Sequence, residues 1–236
     1  VKQSNLLVDY SPWFLFIVGT LLIIAGGVAY SIPLSPLGPL ALFFIVLGIT
    51  ILLQASPAFR PNSDIKVISV SIASALLVIL IDFWPVQWLY SQTSASLLGF
   101  AGINSIQYLN PHFGGAQILI FVREAGTMRI VGGEIDNACA GLIALIPCIM
   151  LLLLADKRQQ PNPDRVIVGL AAILIIVLGN LFRIFIELWA PAVGLAPFEL
   201  VHYPLAFLLG YFGVVVIALL GQRVTQKDKV QKTKWH

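Results

Sequence analysis

The run VIVGLAAILIIVLGNLFRIFIELW, residues 166–189, decides the class of this protein. A helix needs about 20 mostly apolar residues to cross the hydrocarbon core of a bilayer, and this run is long enough. Five other apolar runs lie near 12–30, 37–54, 66–84, 138–155 and 201–221. Backbone groups in lipid must satisfy one another, and the runs lack the period-two alternation of a barrel, so each reads as a helix. The expected fold is an all-α polytopic membrane protein of about six transmembrane helices, one domain over residues 1–221 with a basic tail at 222–236.

Composition points the same way, because a chain that is 58% hydrophobic and only 11% charged would present a largely apolar surface to water. The net charge of +3 does not indicate a nucleic-acid partner. Its basic residues gather in short loops and in the tail between apolar runs, the pattern that specifies membrane topology. Lys2, Arg60, Lys66, Lys157, Arg158, Arg165, Arg223, Lys227, Lys229, Lys232 and Lys234 fall on one side, Arg123 and Arg129 on the other. The positive-inside rule then puts both termini in the cytoplasm of a multi-pass plasma-membrane protein and turns 31–36, 85–137 and 190–200 outward. Trp84, Trp88 and Trp189 fall at outer helix ends and Trp13 at an inner one, as in an interfacial aromatic belt. The tail reads as a solvated anchor beside anionic lipid. A weakly basic leader, with Lys2 offset by Asp9, favours a retained first helix over a cleaved signal peptide.

Residues 85–137 form the long outward connection. Ser94 to Leu109 is moderately apolar and reads as a helix on or in the outer leaflet. After Pro111 and Gly114-Gly115, the segments Gln117–Val122 and Thr127–Val131 flank Glu124-Ala125-Gly126 and predict a short β-hairpin. The hairpin leads through Gly132-Gly133-Glu134-Ile135-Asp136 into Asn137-Ala138-Cys139-Ala140-Gly141-Leu142, where loop gives way to apolar helix.

The charge count brings three reactive residues to the outer ends of neighbouring segments. Cys139 opens the fourth, Arg183 lies near the outer end of the fifth, and His202 opens the sixth. With Asp136 or Asn137 as cap, Cys139 is expected in a first helical turn, where free N–H groups and the helix dipole favour a thiolate nucleophile. The bland alternative, a small apolar residue in a bundle, is applied to Cys148, which faces the other way, so the two cysteines neither pair nor form a metal site. Arg183 in a span costs about 2.5–3.5 kcal/mol at a helix centre, which something must offset. Either it pairs with Glu187, four residues on, or complements the dipole at the helix C-terminus, or it stabilises an oxyanion, with Asn180 on the same face to orient it. His202, before Tyr203-Pro204 at a helix boundary, is either an interfacial histidine or a general base and acid, with Glu199 or the thiolate itself to offset the unfavourable dipole. No His-Glu-x-x-His motif, Gly-x-Ser-x-Gly elbow or phosphate-binding glycine loop is present.

Ala138-Cys139-Ala140-Gly141-Leu142, Asn180-Leu181-Phe182-Arg183 and His202, in this order, resemble the Ala-Cys-Ser-Gly, Asn-x-x-Arg and His elements of the exosortase/archaeosortase family. Ala140 stands where the family has serine, and the first three helices carry no part of the resemblance. The resemblance implies a membrane cysteine transpeptidase with Cys139, Arg183 and His202 as catalytic residues. It also implies exported substrates that end in a short motif, a membrane helix and a basic cluster, and no metal or cofactor. The rival readings are a small transporter or channel for an anionic solute, with Arg183 as its binding group, and a non-catalytic membrane assembly factor. Against the transporter stands the lack of an internal repeat and of paired broken helices.

Overall fold

The computed structural model describes residues 11–30, 38–61, 63–110, 115–124, 127–137, 139–154, 163–198, 200–202, 204–205 and 213–219. Its helices are α1 (Pro12–Tyr30), α2 (Gly38–Gln54), α3 (Asp64–Leu80), α4 (Trp84–Phe100), α5 (Leu142–Leu154) and α6 (Pro163–Ala192). Between α4 and α5 lie three strands, β1 (Ser105–Asn110), β2 (Gly115–Glu124) and β3 (Thr127–Ile135). By length and composition α1 and the Val166–Ala192 part of α6 can each cross a membrane, and a third span results if α3 and α4 are taken together; α2 and α5 are shorter apolar helices. The expected basic tail and the connections at 31–36 and 156–162 lie outside the described residues.

The chain forms two compact units. The first comprises residues 1–79, 143–176 and 212–236. Here Ser11 accepts a hydrogen bond from Phe14 N–H at 3.3 Å and Pro12 opens α1, a cap and a first-turn proline in sequence. α1 and α2 cross closely at Gly19 and Gly48, where a Cβ on Gly19 would come within 2.8 Å of the Gly48 carbonyl oxygen. Lipid gives no hydrophobic drive between helices, so backbone approach of this kind supplies the packing. Thr20 and Thr50 return their hydroxyls to the carbonyls of Phe16 and Val46, which satisfies both side chains within their own helices. Leu15, Ile51, Ala55, Val67 and Ala218 form a buried cluster against which Phe16, Val18, Leu22 and Leu47 pack.

The second unit comprises residues 80–142 and 177–211. Its sheet is antiparallel in the order β1-β2-β3. Ala116 pairs with Ile135 and Ile120 with Val131, so the buried side chains of β2 and β3 share one face. α4 packs against this sheet. The expected hairpin is thus present, with longer arms and a third strand.

Two expectations are corrected. The apolar run at 66–84 does not continue as one helix: α3 ends at Leu80 and α4 starts at Trp84, with Pro85 in its first turn. A helix over 94–109 is not formed either, since α4 ends at Phe100 and residues 105–109 belong to β1. Proline in a first turn marks a new helix, and Asp82 lies in the break.

Candidate functional site

The break before α4 is held by a single side chain. Asn137 donates from Nδ2 to the Ile81 carbonyl at 2.7 Å, and its Oδ1 accepts from Phe83 N–H at 3.2 Å and from Gln87 Nε2 at 2.8 Å. Gln87 Nε2 also reaches Asp82 Oδ1 at 2.9 Å. The backbone groups left open where one helix stops and another starts therefore meet an amide suited to both.

From Asn137 the chain turns rather than entering a helix. Asp136 Oδ1 accepts from Cys139 N–H at 2.6 Å, the Asp136 carbonyl from Ala140 N–H at 2.8 Å, and the Asn137 carbonyl from Leu142 N–H at 3.2 Å. Gly141 completes the turn at a φ of +71°, a conformation open to glycine, and a Cβ there would lie 3.1 Å from the Asn180 side chain. Ala138 lies outside the described residues.

Cys139 therefore does not occupy the first turn of α5, which begins at Leu142. The helix-dipole thiolate is not found. Burial pushes the Cys139 thiol up to about 12, the Asp136 carboxylate beside it adds to the rise, and the Arg183 guanidinium opposes it. Asp136 caps this turn and not a helix, and it sets its negative charge against the thiolate. Cys148 is buried within α5, as its bland reading predicts.

The C-terminal part of α6 supplies the partners. Arg183 donates from Nη2 to the Cys139 carbonyl at 2.8 Å, and Asn180 donates from Nδ2 to the same oxygen at 2.6 Å. Asn180 thus binds the cysteine backbone, a different task from the expected orientation of Arg183. Arg183 Nε stands 3.3 Å from Glu187 Oε1, and the other Glu187 oxygen stands 3.1 Å from His202 Nδ1. Arg183 and Glu187 are only 7% and 4% exposed, so their charges act with little solvent screening. The His202 ring stacks on Phe198 with centroids 5.1 Å apart. Sequence reasoning assigned Glu187 to Arg183 alone and gave His202 to Glu199, which lies outside the described residues. What it missed is that one carboxylate serves both. The i, i+4 spacing gave half of that signal; the other half is a tertiary contact.

Cys139, Asn180, Arg183, Glu187 and His202 thus form one connected polar line within the second unit. It meets Cys139 at the backbone carbonyl and beyond that joins a guanidinium to an imidazole through one carboxylate. Side chains of these types can exchange a proton and stabilise a developing negative charge.

No protein-family model, no curated protein and no solved structure matches this chain.

Proposed function

We propose that this protein is a membrane cysteine peptidase or transpeptidase of the exosortase/archaeosortase kind, with Cys139 as its nucleophile. The observation that carries this reading is the Glu187 carboxylate, set between Arg183 and His202 and leading through Arg183 to the Cys139 backbone. A buried carboxylate paired with an imidazole is the recurring support of a nucleophile in acyl transfer, and Cys139 is the nucleophile this reading assigns.

In this reading the thiol is protonated at rest and its proton passes to His202 as Sγ attacks the carbonyl carbon of the substrate. The Arg183 charge stabilises the oxyanion. Collapse breaks the C–N bond, leaves a thioester on Cys139, and returns the proton from His202 to the departing amine. An acceptor amine, or water, then attacks the thioester and frees the thiol. The substrates are exported proteins with a C-terminal motif, a membrane helix and a basic cluster, cut near the outer interface. The chain crosses the plasma membrane about six times, with both termini cytoplasmic and the site facing outward.

The transporter reading needs Arg183 for a solute anion. Here Arg183 Nη2 is bonded to the Cys139 carbonyl, which ties the guanidinium to the cysteine turn and favours the enzyme. Co-expression with a candidate substrate that bears a C-terminal tag tests the proposal. Loss of the tag with the wild type and its retention with Cys139→Ala is the expected result, whereas equal processing by both overturns the enzyme reading and leaves the assembly factor.

A further inference from the structure

Gln87, Ser91 and Ser94 recur on one face of α4, at the i, i+4, i+7 spacing of a helical stripe. Gln87 is 2% exposed and both serines are 0% exposed. Among the described residues, Gln87 Oε1, Ser91 Oγ and Ser94 Oγ have no hydrogen-bond partner. Small residues along a helix are ordinary; three buried polar atoms in one line with nothing to bond are not.

The serines differ from their neighbours in where they point. Thr93 and Ser96, on the same helix, return their hydroxyls to the carbonyls four residues back at 2.8 and 2.9 Å, and Ser71 does the same in α3. Ser91 and Ser94 do not take that bond, so their oxygens face the interior. Tyr90, on the flank of the stripe, spends its hydroxyl on the Val177 carbonyl at 3.4 Å. The occupant must donate to Gln87 Oε1, which only accepts, and must also match hydroxyls that both donate and accept. Water meets both demands.

We propose that Gln87, Ser91 and Ser94 line an internal water-binding seam, in which ordered waters run along α4 and end at Asn137 through Gln87. Water held there hydrates the rear of the cysteine turn, since Gln87 Nε2 already bonds Asn137 Oδ1. The seam stands whether or not the protein is a peptidase.

Water-edited solid-state NMR on the full chain in lipid bilayers tests it. Polarisation from water should reach Ser91 and Ser94 as quickly as the exposed Asp136; transfer as slow as that to the fully buried Leu98 overturns the seam. A stability comparison gives a second reading. Alanine is the better helix former, so a dry seam makes the Ser91→Ala/Ser94→Ala double variant as stable as the parent or more so. A lowered Tm is the expected result, because each substitution strips a bonding partner from a bound water, and an unchanged or raised Tm overturns the seam.

Discussion

Glu187 holds His202 by one carboxylate oxygen, 3.1 Å from Nδ1, and Arg183 by the other, 3.3 Å from Nε. Nδ1 thus faces the carboxylate, and in the proposed reaction Nε2 is the nitrogen left to exchange a proton with the thiol. Glu187→Gln keeps the shape and removes the negative charge beside Nδ1. It is expected to lower kcat by about 10²–10⁴-fold, the usual worth of a positioned acid or base, with little change in KM. A change in KM alone, with kcat kept, would assign Glu187 to structure.

The thiol of Cys139 is held protonated. With its pKa pushed up to about 12 by burial and by Asp136, the thiolate fraction rises tenfold per pH unit throughout the neutral and moderately alkaline range. Alkylation by a small reagent should therefore climb log-linearly with pH and show no plateau by pH ~10. A helix-dipole thiolate would instead level off near neutrality. Asp136→Asn keeps an oxygen for Cys139 N–H and removes the negative charge, so the variant should react faster than the parent at a fixed pH.

Asn137 satisfies Ile81, Phe83 and Gln87 at the break between α3 and α4. Asn137→Leu leaves these groups without that partner. A loss of about 1–3 kcal/mol in unfolding free energy is expected, measured in detergent micelles. Gln87 and Asn137 are bonded to one another, so a double-mutant cycle with Gln87→Leu should give less than the sum of the two single losses.

Gly19 and Gly48 set the approach of α1 to α2. A methyl group on Gly19 meets a backbone oxygen, which cannot rotate aside. Gly19→Ala is expected to destabilise the first unit by about 1–3 kcal/mol, read as a lower Tm with the alkylation rate of Cys139 unaltered.

Apolar length is the most legible feature of this sequence: α1 falls at 12–30 as read, and α2 and α6 follow closely. Hydropathy averages over a window, so the run at 66–84 hid Asp82 and the first-turn Pro85 that break α3 from α4. The β-hairpin was legible from its alternation and its Glu124-Ala125-Gly126 centre, while β1 was not, because Ser105–Asn110 follows an apolar helix without a clear period. At the site, the residue types were legible and their bonds were not. Cys139, Arg183 and Asn180 do converge, but on a backbone carbonyl, and Gly141 at positive φ delays the helix that was expected to activate the thiol. Spacing along a helix reveals Arg183 with Glu187; only the fold reveals Glu187 with His202.

The most direct test of nucleophilic catalysis is to trap the thioester. Wild type and Cys139→Ala, each co-expressed with a tail-bearing exported protein, are quenched in acid and treated with hydroxylamine. The wild type should yield a hydroxylamine-labile adduct between substrate and Cys139 together with the shortened product, and Cys139→Ala should yield neither. Shortened product from Cys139→Ala at the wild-type level would contradict the account.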